Sequence, residues 1–228
     1  MVVVLLLAGA VLGGVLYTNA QKNKTEGQTI APQPVSADYP VSRDGAVVVA
    51  GKPDAKVTID LYEDFLCPAC RAFETANGSA IEAKLKDGSV RVRYHMLAIL
   101  NDRSDPPGYS LDAANAGLCA ADANKFPAFH NSLYESQPEE GARGYDNGQL
   151  ADLGARLGIT GPDFKSCIDN GRYEADIQAA EQQATTAPYL QQDFGNGQRG
   201  FGTPTVAVGQ KVVDTSDPRW LDNLVSAG

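Results

Sequence analysis

Residues Glu63–Glu74 have the sequence Glu-Asp-Phe-Leu-Cys-Pro-Ala-Cys-Arg-Ala-Phe-Glu, and this stretch joins a predicted strand to a predicted helix. Apolar residues at alternate positions over residues 57–61 precede it, which is the pattern of a half-buried strand. Good helix formers follow, and Pro68 suits the first helical position because an N–H there has no partner in any helix. Cys67 is therefore expected at the start of a helix.

This position favours a reactive thiol at Cys67. Backbone N–H groups at a helix start lack partners within the helix and carry partial positive charge, so they stabilise a thiolate. Pro68 and Ala69 separate Cys67 from Cys70, a spacing at which two thiols close a small disulfide ring. The motif predicts a redox-active pair rather than a structural bridge.

The motif fits a zinc site or an inert pair of cysteines less well. A zinc site needs four ligands, but there is no second Cys-x-x-Cys, and His95 and His130 are not paired at ligand spacing. Two inert, buried cysteines would not account for the proline between them or the strand-to-helix setting. No metal and no other cofactor is predicted.

The composition is that of an ordinary globular protein: 228 residues, 43% hydrophobic and 21% charged. The formal net charge of −9, from 28 acidic and 19 basic residues, argues against nucleic-acid binding, which needs a basic surface. Four cysteines suffice for one reactive pair and one structural bridge, among three possible pairings.

The N-terminal residues predict export. Val2–Leu16 is almost wholly apolar, and the run is slightly shorter than the roughly 20 residues of a membrane span. Residues 1–20 are predicted as a membrane anchor or an uncleaved signal, in preference to a cleaved signal, which places the protein in the cell envelope or secreted. Because no basic segment precedes the apolar run, the true start is expected upstream.

The rest of the chain divides into a linker and one domain. Residues 21–40 are polar with few aliphatic side chains, so they are predicted to be a flexible linker. Residues 41–228 alternate at period two, then at period 3.6 over about 104–188, then at period two again. This order predicts an α/β domain interrupted by a helical subdomain. The predicted strands are Val47–Val49, Val57–Tyr62, Val90–Met96, Thr205–Val208 and Lys211–Val213, and the closing helix is Pro218–Val225.

The order of elements resembles that of the DsbA-like family of thioredoxin-fold proteins, and in particular its exported actinobacterial members. Two motifs carry the resemblance: Cys-Pro-Ala-Cys at 67–70 after the second strand, and Gly-Thr-Pro-Thr at 202–205 before the penultimate strand. The resemblance covers roughly residues 41–228. It implies a thioredoxin fold with an inserted α-helical subdomain.

The resemblance also implies roles for single residues. Cys67 would be the attacking thiol, Cys70 the resolving thiol and Pro204 a cis proline beside them. Pro68, Ala69 and Thr203 would line the substrate groove or tune the thiols.

The chain departs from the family pattern at two positions. Many thioredoxin-fold oxidoreductases carry a buried acid for proton transfer six residues before the first cysteine, where this chain has Leu61. Asp60, Glu63 and Asp64 are nearby, but the sequence assigns the role to none of them. Ala69 stands where strongly oxidising bacterial members have histidine, which leaves the strength and direction of the redox drive open.

The second pair of cysteines is predicted to form a structural bridge. Cys119 and Cys167 both lean towards apolar helical faces in the helical subdomain, and an inward-facing pair in an exported protein usually oxidises. Two free core cysteines, or a second redox pair that relays electrons to Cys67, are the alternatives. His95 and His130 are predicted to be structural or surface residues.

The predicted function is an exported thiol–disulfide oxidoreductase that forms disulfides in translocated proteins. The family implies cysteine-containing exported proteins as clients and a quinone-linked membrane partner. A membrane-tethered reductase or isomerase would use the same residues with the opposite electron flow. A client-binding module without turnover is the alternative from another class, although it would have no need of the Cys-x-x-Cys spacing. Tyr62, Phe65 and Leu66, beside the motif, are candidates for an apolar substrate surface.

Overall fold

A computed structural model describes residues 21–35, 37–195 and 197–227. The strand predicted before the Cys-x-x-Cys motif is present as β3, Val57–Glu63. A long helix, α1, follows it directly and spans Pro68–Asp87. The motif therefore lies at the predicted junction between a strand and a helix.

Strands and helices alternate in the order that the sequence predicts. The strands are β1 (Val41–Asp44), β2 (Val47–Ala50), β3 (Val57–Glu63), β4 (Val90–Met96), β5 (Gln192–Asp193), β6 (Arg199–Gly200), β7 (Thr205–Val208) and β8 (Lys211–Val212). The α-helices of the described part are α1 (Pro68–Asp87), α2 (Tyr109–Asp122), α3 (Phe126–Glu135), α4 (Asn147–Arg156), α5 (Pro162–Asp169), α6 (Glu174–Thr186) and α7 (Trp220–Ala227). The sequence missed β1 and the short β5–β6 hairpin.

Within the described residues, six strands form one mixed sheet in the order β1-β2-β4-β3-β7-β8. The central strand β3 runs parallel to β4 and antiparallel to β7. The other neighbours, β1–β2, β2–β4 and β7–β8, are antiparallel. Helices α2 to α6 lie between β4 and β5 in the chain, so the predicted α/β fold with a helical insertion is confirmed.

Helix α1 packs one face against the sheet and keeps the motif at its first turn. Phe73, Ile81 and Leu85 are buried on this face together with Cys70. The helix ends at Gly88, whose φ of 83° is the left-handed conformation that glycine adopts at least cost. The helix therefore runs through Gly78 without a break.

Helix α7 closes the domain against α1. The rings of Phe73 and Trp220 are 6.1 Å apart, and the indole N–H of Trp220 donates to Oδ1 of Asn77 at 2.9 Å. This helix begins at Trp220 and not at Pro218, because Asp217 caps the preceding turn by accepting from the backbone N–H of Arg219 at 2.9 Å.

The helical insertion contains the bridge predicted between its two cysteines. Cys119 in α2 and Cys167 in α5 are bonded, with their Cα atoms 6.0 Å apart. Near them, the side chain of Asn115 accepts from the backbone N–H of Tyr173 at 2.9 Å and ties α2 to the start of α6. The bond thus joins two helices that already share a packed interface.

The N-terminal segment differs from the flexible linker predicted for residues 21–40. Ile30 is fully buried, and Tyr39 is nearly so. The Thr25 hydroxyl donates to the backbone carbonyl of Arg143 at 2.8 Å, and the Ser132 hydroxyl accepts from the Gln33 N–H at 2.8 Å. A few apolar anchors and polar partners on the insertion are enough to order a segment whose average composition is that of a linker.

No helix within residues 21–35, 37–195 and 197–227 is both long enough and apolar enough to cross a bilayer. The predicted signal or membrane anchor, residues 1–20, lies outside the described residues.

Candidate active site

Cys67 is the N-cap residue of α1, as the sequence predicts. Its backbone is extended, with φ −70° and ψ 116°, and its Sγ accepts a hydrogen bond from the Cys70 backbone N–H at 3.4 Å. Pro68 occupies the first helical position. The sulfur thus lies at the positive end of a helix of 20 residues.

The two thiols of the motif are free and have opposite acidities. The hydrogen bond from the Cys70 thiol, with donors on Thr203 and the backbone N–H groups of Ala69 and Cys70, lowers the pKa of Cys67 to about 6, although burial opposes the shift. Burial raises the pKa of Cys70 well above its usual value. Near neutral pH the pair therefore consists of a thiolate and a thiol.

Exposure also distinguishes the two cysteines. Cys67 is 6% exposed and Cys70 is fully buried. Cys67 is more enclosed than a freely accessible thiol, because the loop before β7 covers it, yet it remains the one of the two that a substrate can reach.

The loop that covers Cys67 contains the second motif. The Thr203–Pro204 peptide bond is cis, as predicted. Sγ of Cys67 lies 3.2 Å from the Thr203 carbonyl, to which the thiol donates when it is protonated. The Thr203 hydroxyl is buried and has no hydrogen-bond partner among the described residues, so it is free to donate to the thiolate. The structure therefore brings together residues that are 136 positions apart.

Side chains of the helical insertion form hydrogen bonds with the chain just before and at Cys67. The Gln137 side-chain amide donates to the carbonyls of Phe65 at 3.0 Å and Cys67 at 2.9 Å. The Asp64 carboxylate accepts from the Ser110 hydroxyl and the Leu66 N–H, both at 2.8 Å. Through these contacts Asp64 connects the backbone just before Cys67 to helix α2 of the insertion. Burial raises the pKa of its carboxyl to about 6.

Glu63 is the buried acid that the sequence left unassigned. Strand alternation places its side chain on the same face as Leu61, one step closer to the cysteines. It is fully buried, and burial raises its pKa well above the usual value. Its charge in turn raises the pKa of Cys70, so the two groups are electrostatically coupled.

Glu63 belongs to a cluster with His130, which is also buried, and Glu74, which is partly buried. Oε2 of Glu63 lies 2.9 Å from Nε2 of His130. Burial, followed by the charge of Glu63, raises the pKa of Glu74 to about 8, and burial lowers the pKa of His130. Oε1 of each glutamate is buried and has no hydrogen-bond partner among the described residues.

The same three side chains have the chemistry of a cation site. One ligand atom from each lies within 4.8 Å of the others. The prediction that His130 is only a structural or surface residue missed this cluster, because nothing in the sequence pairs it with residues 67 positions away. His95 lies elsewhere: it contacts Asp60 at 2.7 Å and stacks on Tyr62 with ring centroids 4.2 Å apart.

The predicted apolar substrate surface beside the motif is wrong. Tyr62 is 5% exposed, and Phe65 and Leu66 are fully buried, because this part of the chain runs beneath the insertion. The exposed residues are instead Pro68 and Ala69, at the helix start. A groove of about 600 Å³ begins at Pro68 and continues to the segment after α3. The groove is lined by Pro68, Arg71, Ala72, Thr75, Ala76, Gln137, Pro138, Glu139 and Glu140.

The similarity of this chain to known proteins covers both halves of the sheet. The protein-family model described as thioredoxin matches residues 43–227. The serine/threonine-protein kinase PknE of Mycobacterium tuberculosis is 35% identical over 191 residues, which cover 81% of this chain and 32% of the kinase. The chain thus spans about a third of the length of this relative.

Two further proteins are similar over most of their own length. Disulfide bond formation protein D of Bacillus subtilis is 26% identical over 196 residues, covering 84% of this chain and 78% of the relative. The crystal structure of oxidised DsbA from Mycobacterium tuberculosis has a TM-score of 0.65 at 28% identity and covers 83% of this chain and 91% of that chain.

Proposed function

The chain belongs to the thioredoxin family, with DsbA-like proteins among its relatives, and from this we propose that it is an exported thiol–disulfide oxidoreductase that forms disulfides in translocated proteins. The observation that carries the proposal is the different setting of the two thiols at the start of α1: Sγ of Cys67 accepts from the Cys70 N–H at the helix start, at 3.4 Å, whereas Cys70 is fully buried. The pKa of Cys67 is lowered to about 6, whereas that of Cys70 is raised. A stable Cys67 thiolate favours the reduced pair, so the Cys67–Cys70 disulfide is an oxidant.

The first step is attack on the disulfide. A substrate thiolate attacks Sγ of Cys67, the more exposed sulfur, and forms a mixed disulfide. The Cys67–Cys70 bond breaks, and its electron pair leaves with Cys70. Because the pKa of Cys70 is high, its sulfur takes up a proton as it leaves.

The second step releases the product. A second substrate thiol loses its proton and attacks the substrate sulfur of the mixed disulfide. The Cys67 sulfur leaves as a thiolate, which the Cys70 thiol, Thr203 and the backbone N–H groups at the helix start stabilise. The substrate has lost two electrons and the protein has gained them.

Glu63 is proposed as the group that exchanges the proton with Cys70. Many thioredoxin-fold oxidoreductases carry the proton-transfer acid at the position where this chain has Leu61. Glu63 lies two residues further along, on the same face of the strand. Buried and coupled to Cys70, the Glu63 carboxyl gives up a proton when the disulfide is reduced and recovers one on reoxidation. Glu74 lies in the same cluster and, unlike Glu63, lines a surface groove, so it is the side chain through which the cluster would exchange protons with water.

The remaining parts of the proposal follow the family. Clients would be exported proteins with cysteine thiols, and a quinone-linked membrane partner would reoxidise the pair. The apolar segment at residues 1–20 supports an extracytoplasmic location, through a signal or an anchor.

The test is a comparison of two assays on one preparation. Oxidative refolding of a reduced, disulfide-containing protein should be accelerated by the oxidised chain, whereas reduction of insulin should be slow. The Cys67→Ser and Cys70→Ser variants should each lose turnover. Fast insulin reduction without oxidative refolding would indicate a reductase or isomerase, and inactivity in both assays would indicate a client-binding module.

A further inference from the structure

One large apolar side chain stands out on the surface. Phe194 is 61% exposed, and no other large hydrophobic residue of the described part is exposed to a comparable degree. A single exposed apolar residue is common in soluble proteins and by itself indicates nothing. What distinguishes Phe194 is how firmly it is held and what lies beside it.

The ring is held against bare backbone. Phe194 directly follows β5 of the β5–β6 hairpin, and its N–H donates to the Gln198 carbonyl at 2.9 Å. A Cβ atom built on Gly202 would be 3.2 Å from Cζ of the ring, and one on Gly200 would be 3.4 Å from Cε2. One side of the ring therefore packs closely on two glycines while the other side faces solvent.

The glycine beneath the ring directly precedes the residue that contacts the reactive thiol. Gly202 is followed by Thr203, whose carbonyl lies 3.2 Å from Sγ of Cys67. The hairpin is fixed to this segment because the Gln192 side-chain amide donates to the Thr205 hydroxyl at 2.7 Å, and that hydroxyl donates to the Gly202 carbonyl. The ring is thus an ordered part of the surface around Cys67.

The neighbouring aromatic residue, Phe201, packs against the interior of the protein. The Phe201 ring packs edge-on against Tyr62, with centroids 5.7 Å apart, and is part of a small buried cluster. Phe201 therefore accounts for the internal packing of this loop. Phe194 adds an exposed aromatic face to it, pre-ordered so that binding costs little side-chain entropy.

We propose that Phe194 is a specificity-determining residue that binds an apolar side chain near the reacting cysteine of an extended client segment. The inference rests on the proposed function and names the client chemistry: reduced, unfolded segments with an aliphatic or aromatic residue close to cysteine. The position fits because a segment bound at Cys67 also passes the loop of Thr203. Phe194 takes no part in the exchange of sulfur bonds.

The test uses two peptides that differ at one position. Each carries one cysteine, flanked by leucine in one peptide and by serine in the other, and the readout is the second-order rate constant for attack on the Cys67–Cys70 disulfide, which forms a mixed disulfide with Cys67 and releases the Cys70 thiol. The wild type should prefer the leucine peptide by about three- to tenfold, the discrimination expected of one apolar contact with an aromatic ring. Phe194→Ser should lose this preference, and Phe194→Leu should retain most of it.

Exchange with glutathione is the internal control, because glutathione offers no apolar side chain to the ring. Its rate should be the same in the wild type and both variants. Unchanged peptide preference in Phe194→Ser, with normal glutathione exchange, would overturn this inference alone. Failure of the wild type to exchange with glutathione would overturn the proposed function and this inference with it.

Discussion

Nε2 of His130 lies 2.9 Å from Oε2 of Glu63, so one hydrogen bond joins these two buried side chains. Nδ1 of the same ring lies 3.3 Å from Oδ1 of Asn131. Burial lowers the pKa of the imidazole and raises the pKa of the Glu63 carboxyl. Both shifts favour the neutral pair, in which the Glu63 carboxyl keeps the proton and donates it to Nε2.

Glu63→Gln should slow the reaction without disturbing the fold. Glutamine keeps a donor to His130 but has no proton to give to Cys70. We expect reduction of the Cys67–Cys70 disulfide by a dithiol to slow on the order of 100-fold, the usual range for a lost general acid. Stopped-flow measurement of thiolate absorbance gives the rate.

The matched control is Glu82→Gln, which removes an α1 carboxylate that pairs with Lys86 at 2.7 Å on the surface. Its rate should equal that of the wild type. An equal rate in Glu63→Gln would mean that Cys70 exchanges its proton by another route.

Glu74→Gln should change the pH dependence of stability. The folded protein raises the pKa of Glu74 from 4.5 to about 8, so it retains a proton that the unfolded chain has released. Protonation of Glu74 stabilises the folded state, and this stabilisation is complete below pH 4.5 and is lost as the pH rises through about 8. The free energy of unfolding should therefore fall over this interval in the wild type relative to the variant, by at most about 1.4 kcal/mol per pH unit. Parallel curves from urea denaturation across this interval would refute the raised pKa.

Thr203→Val should make Cys67 less acidic. Valine matches threonine in shape but removes a hydroxyl that lowers the pKa of the thiol. Because a hydrogen bond to a charged group contributes roughly 1.5–3 kcal/mol, the pKa should rise by about one to two units. Thiolate absorbance against pH measures it, and Thr75→Val, whose hydroxyl bonds the Arg71 carbonyl, is the control. An unchanged pKa in the variant would exclude Thr203 as a donor.

Replacing both Cys119 and Cys167 by alanine should lower stability and spare activity. The bridge closes a loop of 48 residues, which is worth about 4 kcal/mol in the chain-entropy model. Chemical denaturation should show a loss of up to this size, with oxidative refolding activity within about twofold of the wild type at temperatures where the variant is folded. Loss of activity in the folded variant would support electron relay to Cys67 instead.

The sequence predicted those features that local patterns determine. Alternation predicted β3, and the position of Pro68 predicted the helix start. The motif at 202–205 placed Pro204 beside the thiols because it resembled a family in which that contact is known. Each of these rests on neighbouring residues or on a recognisable pair of motifs.

The buried cluster could not be predicted in the same way. Glu63 and His130 are 67 residues apart, and no local pattern indicates that α3 brings them together. Alternation did contain one signal, since Glu63 shares a strand face with Leu61 and Ile59, and an acid on a buried face needs a partner. The contacts of residues 21–35 and 37–40 were missed because average composition conceals single anchors such as Ile30.

The central claim is that the Cys67–Cys70 disulfide is an oxidant, and its equilibrium with glutathione tests that claim most directly. The chain would be equilibrated in buffers with varied ratios of reduced to oxidised glutathione, and the fraction of reduced pair measured after acid quenching. Because the Cys67 thiolate is stabilised, the account predicts that a small excess of reduced glutathione is enough to reduce the pair. A disulfide that stays oxidised even when reduced glutathione is in large excess would contradict it.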